Sequence, residues 1–159
     1  MQAASWAITG ARHGGITVSD LNRSLEFYSG LLGLELVWRG ELPATVIGRI
    51  VGVPEATAFD VAFLQIPGSE TQVELVQYHG VTQESGAALP SRHGSGHFCV
   101  FVQNIDALHA DLATKGVHFR SDGPVEMTTG PNAGGKSLYA LDPDGYIFEF
   151  HQRPPHVPA

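Results

Sequence analysis

The sequence predicts an α+β protein that contains two copies of one β-α-β-β-β unit. Two segments support this prediction: HGGITVSDLNRSLEFYSGLLGLEL, which begins at His13, and HFCVFVQNIDALHADLATKGV, which begins at His97. In each segment a histidine opens a run of about six residues that alternate between apolar and other side chains, which is typical of a strand. Each segment continues with apolar residues at helical spacing and reaches a glycine. Because the pattern occurs twice, we expect equivalent residues at equivalent positions of two similar folding units.

The first strand and the helix of each unit have recognisable boundaries. The strands are predicted at residues 13–18 and 97–102. Asp20 and Asn104 follow them, and their side-chain oxygens are suited to accept a hydrogen bond from the first helical turn. One apolar stripe is predicted on each helix, formed by Leu21, Leu25, Tyr28 and Leu32 in the first unit and by Ile105, Leu108 and Leu112 in the second.

Each helix is predicted to end at a glycine, Gly33 or Gly116, because a left-handed residue commonly closes a helix. Three further strands are predicted in each unit, at residues 34–38, 58–66 and 71–78 and at residues 117–120, 136–141 and 146–151. The sequence DPDG at 142–145 is typical of a turn. Residues 39–57 have no counterpart in the second unit. They are predicted to hold a short helix around 45–51, within either a substrate loop or a decorated connection.

The length of 159 residues suits one compact domain. We predict a single domain over residues 10–152, with a first module at 10–80 and a second module at 93–152. The proline-rich end, residues 153–159, is predicted to be a flexible tail.

Composition and charge exclude several classes of function. The formal net charge is −7 and the nine Lys and Arg residues form no cluster, so we expect no nucleic-acid binding. No apolar run approaches the ~20 residues of a membrane-spanning helix, and the N-terminus lacks the pattern of a signal peptide. Cys99 is the single cysteine, so no intrachain disulfide can form. We therefore expect a cytoplasmic protein, without a membrane partner, that acts on a small molecule.

Side-chain alternation places one histidine or one carboxylate on the same face of each of four strands. The apolar residues of those strands are expected to pack under the helices, and the opposite faces carry His13, Glu74, His97 and Glu149. Both histidines open the first strand of a module, and both glutamates lie in the last strand. If the modules pair about a pseudo-twofold axis, the four side chains converge. Two imidazoles and two carboxylates would hold one divalent ion, and Ni, Co, Zn, Mn and Fe all accept such ligands.

Other residues on these faces are candidates for supporting roles. Cys99 faces the predicted site by alternation. Phe63 and Tyr139 are either walls of a pocket or part of the core. His151 shares the strand face of Glu149 and either supports that glutamate or lies in solvent; we expect a solvent-exposed position at the strand end.

The two opening segments, together with QVELVQY and GGKSLYALDPDGYIFEF, resemble the vicinal-oxygen-chelate superfamily. That superfamily includes glyoxalase I, methylmalonyl-CoA epimerase, extradiol dioxygenases and bleomycin-resistance proteins. The resemblance covers roughly residues 10–152. It implies paired βαβββ modules in an open, cup-shaped barrel (the glyoxalase-like fold), and it implies a homodimer. It also implies a ligand pattern His-Glu-His-Glu, which matches His13, Glu74, His97 and Glu149 one for one.

The resemblance implies a metal-dependent lyase or isomerase of glyoxalase type, in which a metal-bound glutamate removes a proton next to a carbonyl. Glu149 is expected to be the principal base, with Glu74 as its repeat partner. Three alternatives remain open: an acyl-CoA epimerase, an Fe(II) extradiol-type dioxygenase, and a non-catalytic protein that binds an antibiotic or other natural product. A fourth protein ligand disfavours the dioxygenase, whose iron needs open positions. A complete ligand set disfavours simple binding.

Overall fold

A computed structural model describes residues 6–86 and 89–155 of the chain. Residues 156–159 of the predicted tail lie outside the described residues. The helices and strands occur in the following order: β1 His13–Thr17, α1 Leu21–Leu25, a π-helical segment Glu26–Leu31, β2 Glu35–Leu42, α2 Ala44–Val51, β3 Ala58–Gln65, β4 Gln72–His79, β5 His97–Phe101, α3 Ile105–Thr114, β6 His118–Phe119, β7 Val125–Glu126, β8 Lys136–Leu141 and β9 Ile147–Gln152. Strands outnumber helices and the sheets are mixed, which confirms the predicted α+β class.

The chain forms two compact units. Unit 1 contains the chain up to Leu21 together with Tyr28–Val81. Unit 2 contains the short segment Asn22–Phe27 and the chain from Thr82 onward. No helix among the described residues has the length and apolar character needed to cross a bilayer.

The sheet of unit 1 has the strand order β1-β4-β3-β2. β1 runs parallel to β4, and the other neighbours are antiparallel. Ile16 and Val18 at the first strand and Val73 and Leu75 in the last strand are buried, as alternation predicts. The opposite face, which carries His13, Glu74 and Phe63, is less buried.

The sheet of unit 2 repeats this order as β5-β9-β8-β6, again with its first and last strands parallel. The two-residue strand β7, which pairs with β8, was not predicted because so short a run gives no alternation signal. β9 lies between β5 and β8 and is buried on both faces: Phe148 and Phe150 on one side, and Ile147 and His151 on the other.

The predicted N-cap of α3 and the predicted glycines after both repeated helices are confirmed. Asn104 caps α3, since its side-chain Oδ1 accepts a hydrogen bond from the backbone N–H of Ala107 at 3.4 Å. Gly33 and Gly116 have φ angles of 77° and 81°, which confirms the left-handed residues predicted after the helices. The first helix differs from the prediction, because it continues beyond Leu25 as a π-helical segment.

A glutamine from the last strand of each unit supports the start of the helix in a way that the sequence analysis missed. Gln77 Oε1 accepts a hydrogen bond from the backbone N–H of Leu21 at 2.9 Å. Gln152 Oε1 accepts the equivalent bond from the N–H of Ile105 at 2.8 Å. Both glutamines lie three positions beyond the glutamate of their strand. Each helix start is therefore tied to the strand that carries the candidate glutamate.

The unmatched stretch 39–57 contains the predicted short helix, α2, at Ala44–Val51. Ile47 of this helix packs with Phe59 and Val61 of β3, in a cluster that also includes Val76. Val61 and Val76 have the same side-chain orientation on their strands as Phe63 and Glu74, because they are two residues away. The insertion therefore covers part of the strand face that carries Glu74.

Replacing Gln152 by Ala should lower the free energy of unfolding by about 1 kcal/mol, because the first amide of α3 loses its acceptor. Gln152→Glu keeps an acceptor oxygen at the same place and is the matched control. Urea unfolding followed by circular dichroism measures both. Equal stability of Gln152→Ala and the parent would show that the contact does not support the helix.

Candidate metal centre

The first half of the candidate site lies at the parallel pair β1 and β4 of unit 1. In this register Glu74 is the partner of Gly15 and lies two residues past Gln72, the partner of His13. His13 Nε2 lies 3.2 Å from Glu74 Oε2, and both side chains are partly exposed. A Cβ atom at Gly15 would lie 3.3 Å from Glu74 Oε2, so the glycine leaves room for this carboxylate. We call His13 and Glu74 the first half-site.

Unit 2 repeats the arrangement at β5 and β9. Glu149 is the partner of Cys99, which takes the position equivalent to Gly15. His97 Nε2 lies 3.1 Å from Glu149 Oε2. We call His97 and Glu149 the second half-site. The sequence repeat is thus also a repeat of geometry, with one imidazole nitrogen against one carboxylate oxygen in each unit.

Both half-sites fit the donor chemistry of a divalent metal. Nitrogen and oxygen ligands at about 2.1 Å from an ion, with angles of about 90–110°, are themselves separated by roughly 3.0–3.4 Å. The separations of 3.2 Å and 3.1 Å fall in that interval. Each nitrogen that faces its carboxylate is Nε2, a common metal ligand.

The structure brings the four predicted ligands together as two pairs. Among residues 6–86 and 89–155, no three or more His, Cys, Asp or Glu side chains are grouped so that they could hold a metal ion. That His13, Glu74, His97 and Glu149 together hold one metal ion stays a prediction.

An aromatic ring stands beside each histidine, at equivalent positions of the repeat. Phe63, the strand partner of Glu74, lies with its ring centroid 5.6 Å from that of His13. Tyr139, the strand partner of Glu149, lies 5.1 Å from the ring of His97. Both aromatic residues are half-buried, and Phe63 also packs against the hydrophobic cluster of unit 1.

A small pocket of about 310 Å³ adjoins the first half-site. Phe63 forms part of its wall, and Trp38, which is 42% exposed, lies 6.0 Å from the Phe63 ring. The guanidinium of Arg12 lies over the Phe63 ring at 5.5 Å from its centroid. The pocket therefore offers flat apolar surface and one positive charge within unit 1.

The thiol of Cys99 is held in its protonated form. Partial burial of the thiol is the largest cause of its raised pKa, followed by the negative charge and the hydrogen bond of Glu149. Together they raise the pKa of Cys99 to about 12. Burial and then the charge of Glu149 also raise the pKa of the neighbouring Tyr139. With raised pKa values, both groups stay protonated at neutral pH.

The expectation that His151 lies in solvent is wrong. Only 4% of His151 is exposed, and its Nδ1 lies 2.6 Å from Ser137 Oγ. Ser137 Oγ in turn donates a hydrogen bond to Glu149 Oε1 at 3.0 Å. The sequence could have indicated the role of His151, because His151 lies two residues after Glu149 on the same strand face. The sequence gives no indication of Ser137, because its contact with Glu149 depends on the pairing of β8 with β9.

Comparison with known proteins assigns the family. A profile of the Glyoxalase/Bleomycin resistance protein/Dioxygenase superfamily matches residues 10–150, and the chain belongs to this superfamily. The structure is also similar to that of a glyoxalase family protein from Bacillus cereus, with a TM-score of 0.79 and 17% identity over 96% of this chain and 99% of that one. The fold is therefore the glyoxalase fold.

Three relatives are similar in sequence. Lactoylglutathione lyase GLX1 of Arabidopsis thaliana is 33% identical over 143 residues, which are 87% of this chain and 42% of that protein. Lactoylglutathione lyase of Haemophilus influenzae is 31% identical over 143 residues, covering 87% of this chain and 88% of that protein. A 2-epi-5-epi-valiolone epimerase of an Actinomyces species is 29% identical over 149 residues, covering 92% and 80%. The chain spans less than half of the length of the plant relative.

In chelator-treated protein, Cys99 should react with iodoacetamide at pH 8 at least ~100-fold more slowly than a free thiol. A raised pKa leaves very little thiolate below that value, and the thiolate is the reactive form. Because Cys99 is the single cysteine, intact mass measures the reaction directly. Glu149→Gln removes one cause of the raised pKa and should speed the reaction. A parent protein that reacts as fast as free cysteine would contradict the environment described for Cys99.

Proposed function

We propose that this protein is a metal-dependent enzyme of glyoxalase type, a lyase or isomerase that moves a proton next to a carbonyl group of a small oxygenated substrate. One observation supports the proposal above all others: the same His–Glu pair, with the same facing atoms, occurs at equivalent positions of both units. A structural role in one strand would not require its repetition in the other unit.

The metal ligands in this proposal are His13, Glu74, His97 and Glu149, holding one ion of Ni, Co, Zn, Mn or Fe. When bound, the ion would stabilise negative charge that develops on a substrate oxygen. The resemblance to this superfamily implies a homodimer, and we propose that its two chains cooperate in the site. In such a homodimer, the first half-site of one chain and the second half-site of its partner would form each centre.

The proton would be moved by a carboxylate of this chain. Glu149 is proposed as the principal base and Glu74 as its repeat partner. Each carboxylate has one oxygen against a histidine, and each stands beside one aromatic ring, Tyr139 or Phe63. The exposed fractions of the Glu74 and Glu149 side chains are 20% and 15%, and partial removal from water strengthens electrostatic interactions at the reacting atoms.

The names of the relatives support the reaction class. Two of them are lactoylglutathione lyases and one is an epimerase, and both reaction types can begin with removal of a proton beside a carbonyl. Use of a glutathione or acyl-CoA substrate requires basic side chains for its carboxylates or phosphates. Arg12 is a basic side chain that the structure places beside the first half-site.

The pocket beside the first half-site favours a second candidate function, the binding of a flat natural product without catalysis. Trp38 and Phe63 offer aromatic surface, and Arg12 offers a charge for an anionic group. Such a protein would need no metal. Metal content therefore separates the two proposals.

Protein purified without chelators or a nickel column should contain about one divalent ion per chain, as measured by elemental analysis. His13→Ala and His97→Ala should each lose most of it, because each removes half of the imidazole ligands. His79→Ala is the matched control, since His79 also contacts a carboxylate, Asp60, at 3.1 Å. No metal in the parent, even after addition of Ni, Co, Zn, Mn or Fe, would contradict the enzyme and favour the binding protein.

Mixing the His13→Ala and His97→Ala variants tests the shared site. If each centre takes one half-site from each chain, random exchange makes half of the dimers mixed, and each mixed dimer keeps one intact centre. About a quarter of the parental metal content should return. No recovery after verified subunit exchange would contradict a site shared between chains.

Glu149→Gln should retain part of the metal affinity but lose at least ~100-fold in proton exchange, because an amide cannot accept the substrate proton. Deuterium uptake from solvent into a panel of small 2-hydroxy ketones and 2-oxoaldehyde–thiol adducts, followed by NMR, measures the exchange. Glu74→Gln is the matched variant of the other half-site. Full turnover by Glu149→Gln would show that Glu149 is not the base.

A further inference from the structure

We propose that Ser137 and His151 form a hydrogen-bonded pair that holds the Glu149 carboxylate in one orientation, and that this pair makes Glu149 different from its repeat partner Glu74. Both residues would act as positioning residues through Glu149. Their effect on catalysis rests on the proposed function, whereas the hydrogen-bonded arrangement itself does not.

Two residues, His151 and Ser137, form a hydrogen-bonded chain that ends at Glu149 of the second half-site. His151 Nδ1 lies 2.6 Å from Ser137 Oγ, and Ser137 Oγ lies 3.0 Å from Glu149 Oε1. The other oxygen of the carboxylate, Oε2, faces His97 Nε2 at 3.1 Å. Both carboxylate oxygens are therefore engaged, one by the serine hydroxyl and one at the face proposed for the metal. A carboxylate held at both oxygens cannot rotate freely.

The count of donors assigns the protons in this arrangement. A serine hydroxyl has one proton, and an ionised carboxylate only accepts. Ser137 must therefore donate to Glu149, so His151 must donate its Nδ1–H to the serine oxygen. His151 Nε2 is buried and has no hydrogen-bond partner among the described residues. A buried, unpaired N–H costs more than an unpaired acceptor nitrogen on a neutral ring, so the proton belongs on Nδ1.

Strand pairing brings the residues together. Ser137 of β8 and His151 of β9 are direct cross-strand partners, and Glu149 lies two residues before His151 on the same face. This arrangement needs no loop or flexible segment. The positions of all three groups are set by the ladder of hydrogen bonds between two strands.

The same positions in unit 1 are occupied by two valines. Val61 of β3 and Val76 of β4 are cross-strand partners, and Val76 lies two residues after Glu74. Their side chains have no polar atoms and pack in the cluster with α2. Two apolar side chains are therefore sufficient for packing at these two strand positions. Placing a serine and a histidine there buries polar groups, which costs stability unless they are paired.

The asymmetry has a direct chemical consequence. Glu149 has a hydroxyl donor behind it that fixes the plane of its carboxylate, and the equivalent valines leave Glu74 without that donor. The orientation of the Glu149 carboxylate is therefore more restricted than that of Glu74. Proton removal from the side of Glu149 is favoured because the base is already oriented before substrate binds.

NMR of the chelator-treated protein with labelled histidine and glutamate tests the arrangement without metal or substrate. We expect the His151 ring in the Nδ1–H tautomer, and we expect Ser137→Ala to shift the carboxyl carbon of Glu149, assigned by its loss in Glu149→Gln. Ser137→Thr keeps the hydroxyl and should restore the parental signals. Ser121→Ala is the matched control, since Ser121 is a half-buried serine of unit 2 that donates to Gly123. A parental Nε2–H tautomer, or a Glu149 signal unmoved in Ser137→Ala, would overturn the proposal.

Titration with Co²⁺ gives a second reading. Loss of a residue that orients a ligand typically lowers metal affinity 10–100-fold, and we expect about that loss in Ser137→Ala, with recovery in Ser137→Thr. Unchanged Co²⁺ affinity in Ser137→Ala would contradict the positioning role. If the parent binds no Co²⁺, the proposed function is wrong, and the NMR experiment still shows whether Ser137 and His151 form the hydrogen-bonded pair. If Ser137→Ala does not fold, His151→Asn against His151→Leu makes the same comparison, because asparagine retains a donor near Nδ1.

Discussion

The candidate site depends on the parallel pairing of the first and last strands in each unit. A parallel neighbour with a register offset sets a histidine at the start of one strand beside a glutamate in the middle of the other. The contact between Nε2 and Oε2 follows from that register in both units. The cap from Gln77 or Gln152 ties the intervening helix to the same last strand, so the crossover that permits parallel pairing is held at its start.

Sequence reasoning recovered the features that depend on local periodicity. Alternation gave the buried faces around Ile16 and Val73 correctly, and the left-handed glycines after both helices were identified from their place in the repeat. The repeat also placed a histidine in the first strand and a glutamate in the last strand of each unit. The His–Glu contacts themselves depend on the parallel strand pairing and were not predicted.

The features that sequence reasoning missed depend on partners that are distant in the chain. The place of His151 was misjudged because alternation assigns a polar side chain to the open face, and its burial depends on Ser137, fourteen positions earlier on another strand. The glutamine caps join residues 56 and 47 positions apart. The π-helical segment has the same apolar spacing as an α-helix over so short a length, so periodicity cannot distinguish them.

The two units differ where their chemistry would differ. Unit 1 covers part of its site face with the apolar helix α2 and presents the pocket of Trp38 and Phe63. Unit 2 has no such helix among its described residues and places Ser137 and His151 behind its glutamate. In the proposed enzyme, the repeat would supply the four ligands and the departures from the repeat would distinguish the substrate side from the base.

In the proposed centre, one ion takes ligands from both half-sites. X-ray absorption spectroscopy of the cobalt-loaded protein tests this arrangement, because imidazole rings give a characteristic scattering pattern at the metal. We expect two imidazole rings per cobalt, with oxygen and nitrogen neighbours at about 2.1 Å. One imidazole ring, or none, would mean that the half-sites do not meet at a metal, and the proposed centre would be wrong.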